Sequence, residues 1–505
     1  MKAVGHAGGG PLADTMVAHR GAGLLDAVVR EAPILLALTC SAAVLFSHLA
    51  MQFAADSWLN LMGGREIVAH GLPHHDTLAV LSTGQTWIDQ QWLAHLFYYG
   101  AYAAGGLNAA ARANVIVFLI AVAGVFWFAR RRGAGSVSVA LCSIPMLIVG
   151  VEFIRAQVLA EPLFVALLVL LASESRVATR RVFLAFPLLV LWANLHGSVL
   201  FAAALVTLLG FVEMRAALRQ ARRFRHVVRP LMLIVLPWPC ILASPYGASV
   251  LSYFDSTLRN KEFPHYLTEW ASPTLASLWG VILFGSAVLA VALVARRPRV
   301  LTAFEIGALA LTLLAAASAV RSIPWFTIAI AMLLPQLLHG EMSRPQNDVG
   351  LTRTQRGLVA AAAATAVILV GIAVARPGPS VSADWPPAAA DTVNRALQAD
   401  PSARLIAGYD LADWLLFEAP EARGRIAFDG RWEILSRPQF LAAMRYFGQA
   451  TPAWQRPSLG YRLVALNPSS AGALVHWYEG QRGVKVLYRS PRVVVFDRGS
   501  QSRRP

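Results

Sequence analysis

The stretch QFAADSWLNLMGGREIVAHGLPHHD, Gln52–Asp76, follows directly on an apolar run, Ala32 to Met51, that is long enough to cross a bilayer. Its first acid, Asp56, comes only a few residues after that run. Ionisable groups near membrane depth are costly and tend to be kept for function. If Asp56 opens a loop on one face of a membrane, every later segment is counted from there.

The composition supports the membrane. Of 505 residues, 56% are hydrophobic and only 14% charged, and the mean hydropathy is +0.53. No soluble domain needs so much apolar surface. The net charge is +16, but the arginines stand between apolar runs, which marks topology rather than a nucleic-acid face. Cys40, Cys142 and Cys240 all lie inside apolar runs and form no CxxC pattern. The N-terminus shows no short apolar core with a small-residue cleavage site, so the first span is expected to remain as a signal anchor.

Spans are expected at roughly 32–51, 111–129, 136–152, 159–173, 182–195, 198–214, 230–246, 274–295, 302–320, 323–339 and 357–375, about eleven by the twenty-residue rule. The aromatic segment 92–107 would be a twelfth. Charge decides against it. Lys2, Arg20 and Arg30 put the N-terminal tail, 1–31, in the cytoplasm. With eleven spans, the clusters at Arg130–Arg132, Arg176–Arg181, Arg215–Arg229, Arg296–Arg299 and Arg344–Arg356 are all cytoplasmic too. Segment 92–107 then becomes an interfacial helix within the first outer loop, 52–110. After the transmembrane unit, 32–375, RPGPSVSADWPP opens a linker, 376–400. Beyond it RLIAGYD, RIAFDGR, YRLVALN, VKVLYRS and RVVVFDR predict strands, and DLADWLLFEA, PQFLAAMRYF and SAGALVHWYEG predict helices. The fold class is therefore mainly α, a polytopic helical bundle with a small extracytoplasmic α/β domain over 401–505.

On this topology the polar residues gather at one face. The first outer loop carries Asp56, His75, Asp76 and Asp89. The second carries Glu152, Arg155 and Glu161, the third His196, the fourth Tyr246, Arg259, Lys261 and Glu269, and the fifth Arg321. Acids at span ends can have their pKa raised toward working pH and take a proton from a hydroxyl. Arginine and lysine can steady the charge growing on a departing phosphate. Such a chamber suits transfer from a membrane-bound phosphate donor to an acceptor outside.

DSWLNLMGGREIVAHGLPHHD (56–76) followed by TWIDQQWLAHLFYYGAYAAGG (86–106) resembles the first outer loop of GT-C-fold glycosyltransferases. The likeness is to the protein O-mannosyltransferase and lipid A aminoarabinose transferase branch and to bacterial homologues of unassigned substrate. RAQVLAEPLFVALL (155–168), WANLHGS (192–198), ASPYG (243–247) and RSIPWF (321–326) extend it over roughly 32–340. Ser57 follows Asp56 where the family often has a second acid, and Gln90-Gln91-Trp92 stands where many relatives have Lys-Pro-Pro. The resemblance implies a polyprenyl-phosphate sugar donor, inversion at the sugar and Asp56 as general base, with Glu161 matching the second-loop acid. Asp76 is a candidate further acid. Arg155, Arg321, Lys261 and Arg259 are candidates for the donor phosphate, and His196, His75, Tyr246 and Glu269 for the sugar or acceptor. The acceptor would be an envelope glycan, lipid or protein at the plasma membrane, with membrane lipids as further partners and nucleic acid excluded.

Each candidate has a plainer alternative. Asp56 could cap a helix. His74-His75-Asp76 could be a polar turn, since adjacent histidines diverge and lack metal-ligand spacing. Arg155 could form a structural ion pair, Arg321 could reach for lipid headgroups, and Asp429-Gly430-Arg431 fits turn chemistry. No cofactor is called for. A divalent ion on Asp56, Asp76 and Glu161 stays open. The competing functions are a transporter or flippase of lipid-linked glycan, which would want broken midplane helices, and a non-catalytic envelope assembly partner.

Overall fold

The computed structural model describes residues 12–150, 153–219, 225–342, 352–376, 381–449 and 452–499. Glu152, Arg344 and most of the RPGPS segment lie outside the described residues.

Each expected span has its helix. They are α1 (Leu12–Ser47), the second half of α3 (Trp92–Arg131), α4 (Ser136–Val149), α5 (Ala156–Glu174), α6 (Ala185–Ala193), α7 (Val199–Arg219), the pair α8 (Arg225–Val235) and α9 (Pro237–Ile241), α12 (Leu278–Arg296), α13 (Ala303–Ser318), the pair α14 (Ile323–Leu333) and α15 (Pro335–Met342), and α16 (Arg353–Ala375). Among the described residues six helices are long and apolar enough to cross a membrane singly, and the bent run from Val320 to Met342 would make a seventh. The chain is a multi-pass membrane protein.

Between α1 and the next span lie α2 (Ala55–His70) and the first half of α3 (Trp92–Arg131). α3 breaks at Gly105 and Gly106, where Gly106 takes φ 70°. That is the left-handed region open to glycine, and it falls where segment 92–107 was expected to end. α2 lies close against α3. A Cβ on Gly64 would come 2.3 Å from the His95 carbonyl oxygen, so only glycine permits the approach.

The arginine clusters converge at one end of the bundle. Arg130 pairs with Glu31, Arg132 and Arg176 with Glu305, and Arg229 with Glu174 and Glu213. The opposite end carries the loops with Asp56, Arg155, His196 and Arg321. These loops are stitched to one another. Ile154 N–H donates to the Gln52 carbonyl at 2.9 Å, Trp92 Nε1–H to Asn194 Oδ1 at 2.8 Å, and Arg321 N–H to the Glu269 carbonyl at 3.0 Å. The fourth loop adds two short helices, α10 (Val250–Leu258) and α11 (Phe263–Tyr266).

The C-terminal unit begins earlier than the expected linker allows. Within 376–400 the segment Pro387–Ala399 is a helix, α17. It buries Ala389, Ala390, Val393 and Leu397, apolar positions three or four apart that form one face. The remaining elements are β1 (Leu405–Ala407), α18 (Ala412–Glu418), α19 (Arg437–Gly448), β2 (Leu463–Leu466), α20 (Pro468–Glu479), β3 (Lys485–Arg489) and β4 (Val494–Asp497). The four-stranded sheet has the order β1-β2-β4-β3. β1 and β2 run parallel and the other pairs antiparallel. RIAFDGR, expected as a strand, makes only isolated bridges from Ile426 to Ala79 and Leu405. It joins the sheet to the first loop instead, since Val80 N–H donates to the Ile426 carbonyl at 2.7 Å and Leu81 N–H to the Ala427 carbonyl at 3.0 Å. Arg65 fixes the same junction by donating to the Phe417 and Leu416 carbonyls at 2.6 and 2.7 Å. Trp385 packs between Trp58 and Trp414 there, edge-on to the first and tilted against the second.

Candidate active site

A cavity of about 120 Å³ lies between the loop end of the bundle and the C-terminal unit. Asp56 reaches it from the first turn of α2. Asp56 does not cap that helix: the N-cap is Ala54, whose N–H donates to the Ser57 hydroxyl at 3.0 Å, and the Asp56 carboxylate faces Arg155. Arg155, immediately before α5, stands with Nε 2.9 Å from Asp56 Oδ2 and Nη2 2.9 Å from Glu269 Oε2. Arg321 meets the other Glu269 oxygen at 3.6 Å and lies over the Trp270 ring at 4.3 Å. Gln157 Nε2 donates to the Arg321 carbonyl at 3.1 Å. Two arginines and two carboxylates thus alternate along one wall. Burial acts to raise the Glu269 pKa, but Arg321 and Arg155 outweigh it and hold the carboxyl below its usual range.

His196 is buried and lines the same cavity. Burial, with Arg321 and Arg155 nearby, holds its pKa well below the ordinary value, so the ring is neutral. Ser198 N–H donates to His196 Nδ1 at 3.2 Å. Nδ1 is therefore an acceptor and Nε2 carries the proton. His196 is a neutral hydrogen-bond donor beside two cations.

An apolar groove of about 370 Å³ adjoins this cavity. Leu200, Phe201, Phe254, Leu258, Ala315 and Trp325 supply its apolar walls, and it shares Gln157, His196 and Arg321 with the polar cavity. Arg321 lines both spaces.

Of the expected site residues, Asp56, Arg155, His196, Glu269 and Arg321 come together. The others do not. Asp76 is fully buried away from the cavity, 2.7 Å from Arg431 Nη2, and it accepts from the Ser82 hydroxyl at 2.6 Å and the Leu78 N–H at 3.0 Å. Its carboxylate ties the first loop to the C-terminal unit. Glu161 is buried within α5, more than a helical turn beyond the cavity-lining Gln157. Tyr246 is buried against the edge of His74, and His75 is exposed in a bridge to Thr86. Arg259 and Lys261 line a separate surface cleft with Glu262 and Arg437, where Arg259 pairs with Asp255 at 2.9 Å. Among the described residues no three histidine, cysteine or acidic side chains converge to hold a metal, and Asp56, Asp76 and Glu161 stand apart.

The C-terminal unit completes the site. Gly430, Trp432 and Glu433 line the cavity. Arg431, between them, is buried in a double ion pair with Asp429 and Asp76 that pins this loop in place. The only sequence signal was the DGR turn itself.

No family model and no curated protein matches the chain. Solved structures do. The arabinofuranosyltransferase AftD from Mycobacteria matches at 17% identity over 92% of this chain and 41% of that one, with a TM-score of 0.51. The fold is of the GT-C glycosyltransferase type. ArnT from Cupriavidus metallidurans, solved bound to undecaprenyl phosphate, aligns at 14% identity over 96% of this chain and 99% of that one, with a TM-score of 0.48. The Archaeoglobus fulgidus oligosaccharyltransferase in its apo form aligns at 11% identity over 86% and 69%, with a TM-score of 0.45. Within this GT-C fold, the cavity sits between the loop end of the bundle and the C-terminal unit.

Proposed function

We propose that the protein is a membrane glycosyltransferase that takes a sugar from a polyprenyl-phosphate donor and passes it to an acceptor on the outer face. One observation carries the reading: a polar cavity with two arginines opens into an apolar groove at Arg321. A phosphate joined to an isoprenoid tail has both halves of that chemistry. The cationic end matches the phosphate, and the groove matches the tail.

The chemistry follows from the wall of the cavity. The phosphate binds at Arg321, whose contact to Glu269 is the longest in the set and the first to yield. Arg155 stays on Asp56 and orients its carboxylate. The acceptor hydroxyl oxygen attacks the anomeric carbon while Asp56 takes the hydroxyl proton. The bond from that carbon to the phosphate oxygen breaks, and its electron pair leaves on the phosphate. Arg155, Arg321 and His196 Nε2–H stabilise the charge that develops. Attack opposite the leaving group inverts the sugar. The arginine-rich end faces the cytoplasm by the positive-inside rule, which puts the cavity and the C-terminal domain outside the plasma membrane.

The groove supplies the test. Ala319 lines the groove and not the polar cavity, so Ala319→Trp would narrow the groove. The donor KM should rise while the protein stays folded and monodisperse; an unchanged donor KM would show that the tail lies elsewhere.

A further inference from the structure

A cleft of about 260 Å³ adjoins the cavity, between the first loop, α10 and the C-terminal unit. Gln85, Thr86, Ser252, Ser256 and Glu433 give it hydrogen-bonding groups. Tyr253 and Glu433 line both the cleft and the cavity, so the two spaces meet at this pair. Tyr253 also borders the apolar groove, whereas Glu433 does not. The cleft therefore reaches the reacting centre from a direction different from that of the groove.

We propose that this cleft holds the hydroxyl-bearing end of a glycan acceptor, and that Glu433 accepts the hydrogen bond that orients its reacting hydroxyl toward Asp56. The inference rests on the transferase reading above.

Size and lining select the occupant. The cleft is smaller than the roughly 300–1,000 Å³ of sites for drug-sized ligands and is on the scale of one sugar-sized group. An amide, three hydroxyl side chains and a carboxylate match the dense hydroxyls of a sugar ring, and Tyr253 offers an aromatic face. Only Ile88 and Ile434 are aliphatic, too little for an acyl chain.

The charge on Glu433 makes the contact pH-dependent. Burial pushes its pKa up to about 7; its own backbone N–H and Arg431 pull the other way, and Asp429 and Asp89 add to the rise. Tyr253, facing it from α10, is pushed up to about 12 by burial and stays a neutral hydroxyl. Across the cavity stand Asp56, Arg155, Glu269 and Arg321, with neutral His196. Glu433 thus gains its full accepting charge as pH rises through 7, and acceptor binding tightens over that range.

The experiment measures donor and acceptor KM separately. Full-length protein in detergent is given the polyprenyl-phosphate sugar that it turns over, with either the glycan or the protein fraction of an envelope extract. Wild type is compared with Glu433→Gln, Glu433→Asp and Ser256→Trp. The glycan fraction should accept the sugar. Glu433→Gln should raise the acceptor KM at least about tenfold, the worth of one hydrogen bond to a charged group, leave the donor KM unchanged and abolish the fall in acceptor KM between pH 6 and 8. Glu433→Asp should keep that pH dependence, and Ser256→Trp should raise the acceptor KM alone. An unchanged acceptor KM in both Glu433→Gln and Ser256→Trp, an equal rise in donor KM, or transfer only to the protein fraction would overturn the inference. A wild type silent with every donor would overturn the transferase reading, and this inference with it.

Discussion

Arg155 Nε lies 2.9 Å from Asp56 Oδ2, and the same guanidinium reaches Glu269 Oε2 at 2.9 Å. One planar group thereby fixes two carboxylates from two loops, more than a hundred residues apart in one case. A guanidinium can do this because its donors form a rigid fork; an ammonium is a point charge.

Arg155→Lys should therefore behave almost like Arg155→Ala. Both should lower kcat/KM by at least about tenfold, since each breaks the forked contact that pairs Asp56 and hydrogen-bonds Glu269. Steady-state kinetics on the purified variants would check this. Near-normal activity in Arg155→Lys would mean that the positive charge alone matters.

Arg431→Met should loosen the C-terminal unit. It would leave Asp76 and Asp429 buried without their cation, a change that costs about 3–5 kcal/mol in buried pairs. Burial acts to raise the Asp76 pKa, but Arg431 and the hydrogen bonds from Ser82 and Leu78 outweigh it and hold the carboxyl below its ordinary value. Stability from a depressed carboxyl is present above its unfolded pKa and is lost as pH falls through the folded one. The Tm gap between wild type and Arg431→Met should thus be full at neutral pH and shrink as pH drops below about 4.

Asp413→Asn should do the opposite. Burial, reinforced by Asp429, raises the Asp413 pKa well above the usual range. Keeping that group protonated, or ionising it in the interior, costs more as pH climbs above the unfolded value. An asparagine can still accept the Gly430 N–H that Asp413 now accepts at 3.2 Å. The variant should gain Tm relative to wild type at pH 8 and gain little at pH 4.

Gly64→Ala tests the α2–α3 contact. Its Cβ would meet the His95 carbonyl oxygen at 2.3 Å and Tyr99 Cβ at 2.4 Å. Overpacking of this kind costs about 1–3 kcal/mol, and thermal unfolding in detergent should show it. Activity should fall as well, because the shift displaces the helix that carries Asp56.

The bundle was legible because a membrane span is written in composition alone, and the arginine clusters reported which ends belong together. Asp56, Arg155, His196, Glu269 and Arg321 stood out for the same reason: each is a polar residue at the edge of an apolar run. Asp76 stood out too, yet its partner Arg431 lies 355 residues away, and no local pattern reveals a pairing over that distance. Glu433 was invisible for a related cause. An acid in a soluble domain is ordinary, and only the docking of that domain brings it to the cavity. Helix α17 was hidden by the prolines before it, which mark a linker as readily as a helix start.

The most direct measurement is release of polyprenyl phosphate. Purified wild type and Asp56→Asn are given a panel of polyprenyl-phosphate sugars with envelope extract, with and without chelator, after both proteins are shown to be folded and equally stable. Loss of a general base lowers rates by about 10²–10⁴, so wild type should release polyprenyl phosphate from one donor and Asp56→Asn should release almost none. Equal release by the two proteins would remove Asp56 from the chemistry, and no release by wild type with any donor would contradict the transferase account as a whole.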